Sequence, residues 1–199
     1  MNTQTTTTEK LDAKSFLKKF LQIFKDERAE AVKAYSGNKD FTRFIMPRIN
    51  NILGNETFEQ AIVSNEYFRI DAIKWTDLKT KIGACKYLSK YLWDLEIAVE
   101  HENDSRAWMD EVIKLAHVCC SLRVVIGYLP HGERYNADTD CLDYITEGLK
   151  NLSCYDNMKH GEFMIILGNS GTRGDTDCYF GYKGYLFDTK TEKFIELLP

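Results

Sequence analysis

The sequence lacks the features that define several common protein classes. No apolar run approaches the roughly 18 residues that a membrane-spanning helix needs. The chain also contains no internal repeat and no low-complexity core. Residues 1–10 are polar and Thr-rich, without the charged-then-apolar pattern of a signal peptide, so we expect a disordered tail there. These absences predict a cytoplasmic protein with no membrane segment.

Cysteine motifs and phosphate-loop motifs are missing as well. None of the six cysteines forms the C-x-x-C pair of a zinc ribbon or a thioredoxin-like centre, so we expect reduced, mostly buried thiols. The Gly-rich segment 168–175 does not end in the Gly-Lys-Ser/Thr of a phosphate loop. A formal net charge of -4 argues against a broadly basic nucleic-acid coat, although it leaves room for a local basic cleft.

The composition that remains is that of one ordinary globular domain. Of the 199 residues, 44% are hydrophobic and 28% are charged. Alternating helical and strand patterns predict a mixed α/β domain with a mixed sheet. Helices are predicted over 12–36, with Asp12 as its N-cap, over 40–53, with Pro47 at its start or at a kink, over 106–118, capped by Asp104 or Ser105, and over 140–152. Strands are predicted over 66–75, 91–102, 122–128 and 162–167, and a hairpin over 179–187 and 194–198.

The most informative segment is the predicted strand that contains residues 93–102. Alternate residues of a strand point to the same face, so one face is predicted to carry a row of four carboxylates. Such a row repels itself, and a hard divalent cation such as Mg²⁺ would neutralise it. The alternative is a solvent-facing acidic edge that discourages aggregation. The four acids are Asp94, Glu96, Glu100 and Glu102.

Asp71 is a second unusual carboxylate, because aspartate is depleted inside strands and the pattern places it within one. It has two interpretations. It could pair with Arg69 or Lys74, or it could lie beside Glu100 across the sheet and share a magnesium ion with it. In the second case water and a scissile phosphate would complete the metal shell, as in phosphodiester hydrolysis.

An aspartate near one strand, a Glu-x-Glu at the end of the next, and then a helix and a buried strand resemble the PD-(D/E)XK nuclease superfamily. This family has the restriction-endonuclease-like fold, whose core runs helix, three strands, helix, strand. The resemblance covers about 12–130 of a single domain over 11–199, and leaves about 131–199 as a C-terminal elaboration with a β-hairpin. It implies that Asp71, Glu100 and Glu102 bind Mg²⁺ or Mn²⁺.

Two features depart from the family pattern. No proline precedes Asp71, and Glu102 stands where the motif has its lysine. Lys114 of the following helix, or Lys74, is a candidate for the displaced lysine, which in the family helps to position or activate the attacking water. Lys114 lies three residues after Glu111, so the two could form a surface ion pair instead. The first helix could add a further acid to the site, from Glu27 or Glu30.

These observations predict a metal-dependent endonuclease that hydrolyses phosphodiester bonds, most readily in DNA. The catalytic candidates are Asp71, Glu100, Glu102 and Lys114. A homodimer is a further expectation, because many enzymes of this class dimerise. The alternative is a catalytically inactive nuclease-fold module that binds nucleic acid or a protein partner. A third interpretation is that the acids form only an electrostatic edge.

Overall fold

The structure is a computed structural model that describes residues 11–35, 37–54, 69–77, 93–105, 107–129, 137–169 and 181–199. The expected tail, the whole segment 78–92, the Gly-rich residues 170–175 and the predicted strand residues 66–68 and 179–180 therefore lie outside the described residues. The helices are α1 (Ala13–Asp26), α2 (Arg28–Ala34), α3 (Asn38–Leu53), α4 (Trp108–Ala116) and α5 (Ala137–Lys150), with a 3-10 turn at Tyr155–Lys159. The strands are β1 (Ala72–Asp77), β2 (Trp93–His101), β3 (Leu122–Leu129), β4 (Glu162–Asn169), β5 (Lys183–Asp188) and β6 (Lys193–Leu197).

The six strands form one mixed sheet in which they lie side by side in chain order. Strands β2, β3 and β4 run parallel, whereas β1 at one edge and the β5–β6 hairpin at the other pair antiparallel. The prediction of a mixed α/β domain with a mixed sheet and a C-terminal hairpin is confirmed. None of the described helices has the length and apolarity required to cross a membrane.

Strand β3 lies in the middle of the sheet and is covered on both faces, as its continuous apolar run predicts. Alternate residues enter two different cores. Leu122, Val124 and Ile126 pack against the layer of α1, α2 and α3, whereas Val125 packs against the layer of α4 and α5. The molecule is therefore a three-layer α/β/α arrangement.

Helix α1 begins as the sequence predicts. Asp12 is its N-cap and accepts a hydrogen bond of 2.8 Å from the backbone of Ser15. The phenylalanines that recur at helical spacing, Phe16, Phe20 and Phe24, are all buried in the first core. The α1 layer therefore covers one face of the sheet with aromatic side chains.

Helix α4 packs closely against β3 on the opposite face. A Cβ atom added at Gly127 would lie 2.6 Å from Cβ and Cγ of Trp108. Any larger residue at this point of β3 would therefore push the helix away from the sheet. This close contact matters because α4 carries Glu111 and Lys114 over the end of β2.

Several predicted boundaries are wrong. The helix expected over 12–36 is two helices, because the backbone leaves the helical conformation at Glu27. Pro47 does not start α3 but lies inside it, so of the two positions expected for it only that of a kink is left. Helix α4 begins after Ala107 without a side-chain cap, although Asp104 or Ser105 was expected to cap it. Local patterns identify elements well and their ends poorly, because the ends depend on tertiary contacts.

Candidate functional site

A polar pocket of about 370 Å³ lies where β2 ends, next to the start of β1 and beneath one side of α4. We call it the acidic pocket. It contains four carboxylates and two basic residues from three separate stretches of the chain. Its lining residues are Arg69, Asp71, Glu100, His101, Glu102, Glu111 and Lys114.

The antiparallel pairing of β1 with β2 brings Asp71 next to Glu100. Ala72 of β1 pairs with Val99 of β2, so Asp71, which precedes Ala72, lies opposite Glu100, which follows Val99. Oδ2 of Asp71 accepts a hydrogen bond of 2.8 Å from the backbone N–H of His101. Asp71 itself precedes β1, which corrects the expectation of an aspartate inside a strand. Its carboxylate replaces a ladder acceptor at the strand end, which explains an acid at this position.

Lys114 reaches from α4 into the space above Glu100. Its Nζ lies 2.7 Å from Oε1 of Glu100, pairs with the carboxylate of Glu111, and donates a hydrogen bond of 3.1 Å to the carbonyl of Arg69. The Glu100 side chain is only 2% exposed, whereas that of Lys114 is 31% exposed. The Glu100–Lys114 pair is thus open to solvent at the lysine and closed at the glutamate. Lys114 also forms the predicted ion pair with Glu111 on α4, but that pair is part of the pocket and is not confined to the surface.

Burial and charge crowding set the protonation of this group. Burial raises the pKa of Glu100 to about 8, and the charges of Asp71 and Glu111 act in the same direction against Lys114. Burial also raises the pKa of Asp71. Burial acts to lower the pKa of Lys114, but its pairing with the carboxylates of Glu100 and Glu111 outweighs this effect and raises that pKa. With three carboxyls around one ammonium, the pocket holds an extra proton at neutral pH.

The predicted row of four carboxylates on β2 does not form. The β1–β2 register shifts between Lys74 and Trp75, and Glu96 falls at the shift, where it accepts a hydrogen bond from Thr76. Only Glu100 and Glu102 reach the acidic pocket. Glu102 follows β2, and its Oε1 accepts a hydrogen bond of 2.7 Å from the backbone of Asp104. A strict two-residue alternation cannot anticipate an extra residue in β2, because the bulge depends on how β2 pairs with β1.

The other acids and lysines proposed for the site lie elsewhere. Glu27 pairs with Arg48 of α3 and Glu30 is exposed on α2, and neither lines the acidic pocket as the structure describes it. Lys74 is a β1 residue that is not among the described pocket residues. Of the two lysines considered, the structure places Lys114 in the pocket.

The side chain of His101 points away from the acids, as the strand alternation predicts. Its ring is buried on the α1 side, where Nε2 lies 2.9 Å from the hydroxyl of Tyr128. Tyr128 in turn lies 3.0 Å from the hydroxyl of Tyr182. Only the backbone of His101 serves the pocket, through its hydrogen bond to Asp71.

Two contributors to the pocket could not be found from the sequence. The first is the backbone N–H of His101 and the second is the backbone carbonyl of Arg69. Arg69 has a φ of 60°, in the left-handed region that favours glycine. Residue type carries no signal for either contact, because both depend on backbone direction.

Comparisons of the chain with protein-family models, with curated proteins and with solved structures found no match. Within the described ranges, no three His, Cys, Asp or Glu side chains are placed to hold a metal ion among themselves. By its chemistry, the site is a partly buried cluster of acids and a lysine at the end of a parallel strand in a three-layer α/β domain.

Proposed function

We propose that this protein is a metal-dependent endonuclease-like enzyme that hydrolyses phosphodiester bonds, with DNA as its substrate. The observation that supports the proposal best is the meeting of Asp71, Glu100 and Lys114 in one pocket from three separate segments. Two acids can hold a metal ion beside a scissile phosphate, and a lysine can stabilise the negative charge of that phosphate.

The donor atoms of the pocket are of the type that suits a hard cation. Asp71 and Glu100 offer carboxylate oxygens, which Mg²⁺ and Mn²⁺ prefer. Two carboxylates alone leave most of an octahedral shell to water and to substrate oxygens, which fits the way Mg²⁺ is held in phosphate chemistry. When bound, the ion would stabilise phosphate charge and lower the pKa of a bound water. Glu102, with one oxygen already accepting from Asp104, is a weaker candidate ligand.

Lys114 is suited to hold the attacking water or the phosphate. Its ammonium already lies between Glu100 and Glu111, so no large movement is needed to direct one N–H into the pocket. The raised pKa of Lys114 keeps it cationic, which favours an electrostatic role over that of a general base. This assigns to α4 the position that the motif lysine would take on the strand.

The first test is cleavage of supercoiled plasmid in Mg²⁺ or Mn²⁺. We expect nicking or linearisation by the wild type, and losses of at least about 10²-fold for Asp71→Asn, Glu100→Gln and Lys114→Met. Lys150→Met is the matched control, because Lys150 forms an equivalent 2.7 Å pair with Glu147 on α5, away from the pocket. A control that lost as much activity as Lys114→Met would contradict the assignment.

Metal binding can be tested without turnover. Because the pKa of Glu100 is about 8, a cation bound there must displace its proton, so Mn²⁺ should bind more tightly at pH 8 than at pH 6. Calorimetry in two buffers of different ionisation enthalpy would report the released proton. Binding that is unchanged by Glu100→Gln would place the metal elsewhere.

A second function is favoured by one specific observation. The acids of the pocket already have a cation, since Lys114 pairs with Glu100 and Glu111. A nuclease fold in which a lysine takes the place of the metal would bind nucleic acid or a protein partner without cutting. This alternative predicts nucleic-acid binding that is equal with and without Mg²⁺, and no cleavage by the wild type.

A further inference from the structure

Arg69 has an unusual backbone conformation immediately before the pocket acids. Its φ of 60° belongs to the left-handed region, which residues other than glycine, asparagine and aspartate seldom occupy. On its C-terminal side, Ile70 is fully buried and Asp71 is hydrogen-bonded to His101. These two neighbours fix the chain after Arg69, so the strained conformation is held by the surrounding fold.

The strained conformation has a direct consequence for Lys114. The carbonyl of Arg69 accepts a 3.1 Å hydrogen bond from Nζ of Lys114. The contacts of this ammonium with Glu100 and Glu111 are ion pairs, and the carboxylate oxygens that form them have no hydrogen-bond partner among the described residues. The carbonyl is therefore the acceptor that fixes the direction of the ammonium, and a carbonyl turned away from the pocket would leave the lysine able to rotate.

The Arg69 side chain has no part in this arrangement. It is exposed, and among the described residues its guanidinium forms no ion pair or hydrogen bond. The contact to Lys114 therefore comes from the backbone alone, and the side chain at this position can be varied without removing it.

We infer that Arg69 is a positioning residue whose left-handed backbone holds the Lys114 ammonium in place between Glu100 and Glu111. The inference about position rests on the geometry. Its consequence for catalysis rests on the proposed function, in which Lys114 acts on the substrate.

The experiment exploits the different tolerance of side chains for positive φ. Arg69→Gly and Arg69→Asn remove the guanidinium but accept the left-handed conformation, whereas Arg69→Val opposes it because valine is β-branched. Glu192 offers a matched control, since it also has positive φ, 54°, but lies in the β5–β6 turn. Glu192→Gly and Glu192→Val therefore impose the same backbone changes away from the acidic pocket.

The primary readout is the order of the Lys114 side chain, measured by NMR relaxation of labelled lysine, with Lys114→Arg identifying its signal. We expect wild-type order in Arg69→Gly and Arg69→Asn, a clear loss in Arg69→Val, and no change in either Glu192 variant. If Arg69→Val does not fold, Arg69→Ala makes the same comparison with a smaller steric conflict. Unchanged order in the Val or Ala variant, or equal loss in the Gly variant, would overturn the inference.

A second readout separates position from catalysis. In the plasmid assay, Arg69→Val should have a kcat on the order of tenfold below that of Arg69→Asn, the rate equivalent of one charged hydrogen bond, since both variants lack the guanidinium and only valine opposes the left-handed backbone. If the wild type does not cleave, the proposed function fails, and the NMR result alone still decides whether Arg69 positions Lys114.

Discussion

Glu100 and His101 are neighbours on β2 and both are nearly fully buried, yet their side chains lie in opposite kinds of environment. Glu100 faces the acidic pocket, where a lysine and two further acids surround it. His101 faces the aromatic layer, where it contacts the hydroxyl of Tyr128 and the ring of Phe41. Burial raises the pKa of Glu100 to about 8 and lowers that of His101 to about 3. Both residues are therefore held neutral near pH 7.

The two residues differ in whether a charged ligand can reach the side chain and change its protonation state. On the pocket side, Lys114 is partly exposed and carboxylates face an open space, so a cation or a phosphate can enter and change the charge state. On the aromatic side, the described neighbours of the His101 ring are hydroxyls and aromatic rings, which do not stabilise a charged imidazole. Of these two buried titratable residues, Glu100 belongs to the acidic pocket and His101 to the core.

The largest expected effect comes from removing the support of the pocket. Trp108→Ala should reduce the free energy of unfolding by about 3–5 kcal/mol, because the buried indole fixes α4 against Gly127. Phe41→Ala should destabilise the aromatic layer by a similar amount. Chemical denaturation measures both, and Mn²⁺ titration of the folded variants separates them: only Trp108→Ala should weaken binding. Equal weakening by Phe41→Ala would show that the two sides are coupled.

The pH dependence of stability should differ in sign between the two neighbours. Since the folded state holds the Glu100 proton up to about pH 8 while the unfolded state releases it near 4.5, stability should fall as pH rises through that window. The facing groups are Asp71, Glu111 and Lys114. For His101, the unfolded state gains a proton below about 6.5 and the folded state only near 3, so stability should fall as pH falls.

Each contribution amounts to at most about 1.4 kcal/mol per pH unit. Thermal melts from pH 4 to pH 9 should therefore show Glu100→Gln removing the alkaline decline and His101→Gln removing the acid decline. If one variant removed both the acid and the alkaline decline in stability, the assignment of each decline to a different residue would be contradicted.

Breaking the hydroxyl chain should have a moderate effect confined to the aromatic side. Tyr128→Phe leaves Nε2 of His101 and the hydroxyl of Tyr182 without the central partner, which should lower the free energy of unfolding by about 1–3 kcal/mol. Urea denaturation measures the loss, and plasmid cleavage should be unaffected. Loss of cleavage in a stable variant would assign this chain a role in the site.

The smallest effect should come from a lysine pair that resembles the one in the pocket in spacing only. Lys150→Met removes an ion pair with Glu147, which is 71% exposed, and should leave stability almost unchanged because solvent screens such a pair. Lys114→Met, which leaves the buried Glu100 unpaired, should have a larger effect at pH 8 than at pH 5. Equal effects of the two variants would mean that burial of Glu100 does not matter.

Much of the architecture was predictable from local patterns. The apolar run of β3, the phenylalanine spacing of α1 with its Asp12 cap, and the final hairpin each follow from side-chain periodicity and capping chemistry. The acids of the pocket could also be named, because carboxylates on strands are unusual enough to attract notice. Their roles, the resemblance to a nuclease family and the preference for DNA remain predictions.

The sequence by itself determined the mixed α/β domain with its mixed sheet and C-terminal hairpin, and it indicated Asp71, Glu100 and Lys114 as candidate site residues. Only the tertiary structure decided which of them meet. The register shift at Glu96 removed half of the acidic row, Gly127 let α4 approach the sheet, and the left-handed Arg69 turned a carbonyl onto Lys114. These outcomes depend on backbone direction and on contacts between distant segments, and no local pattern of residue types encodes either.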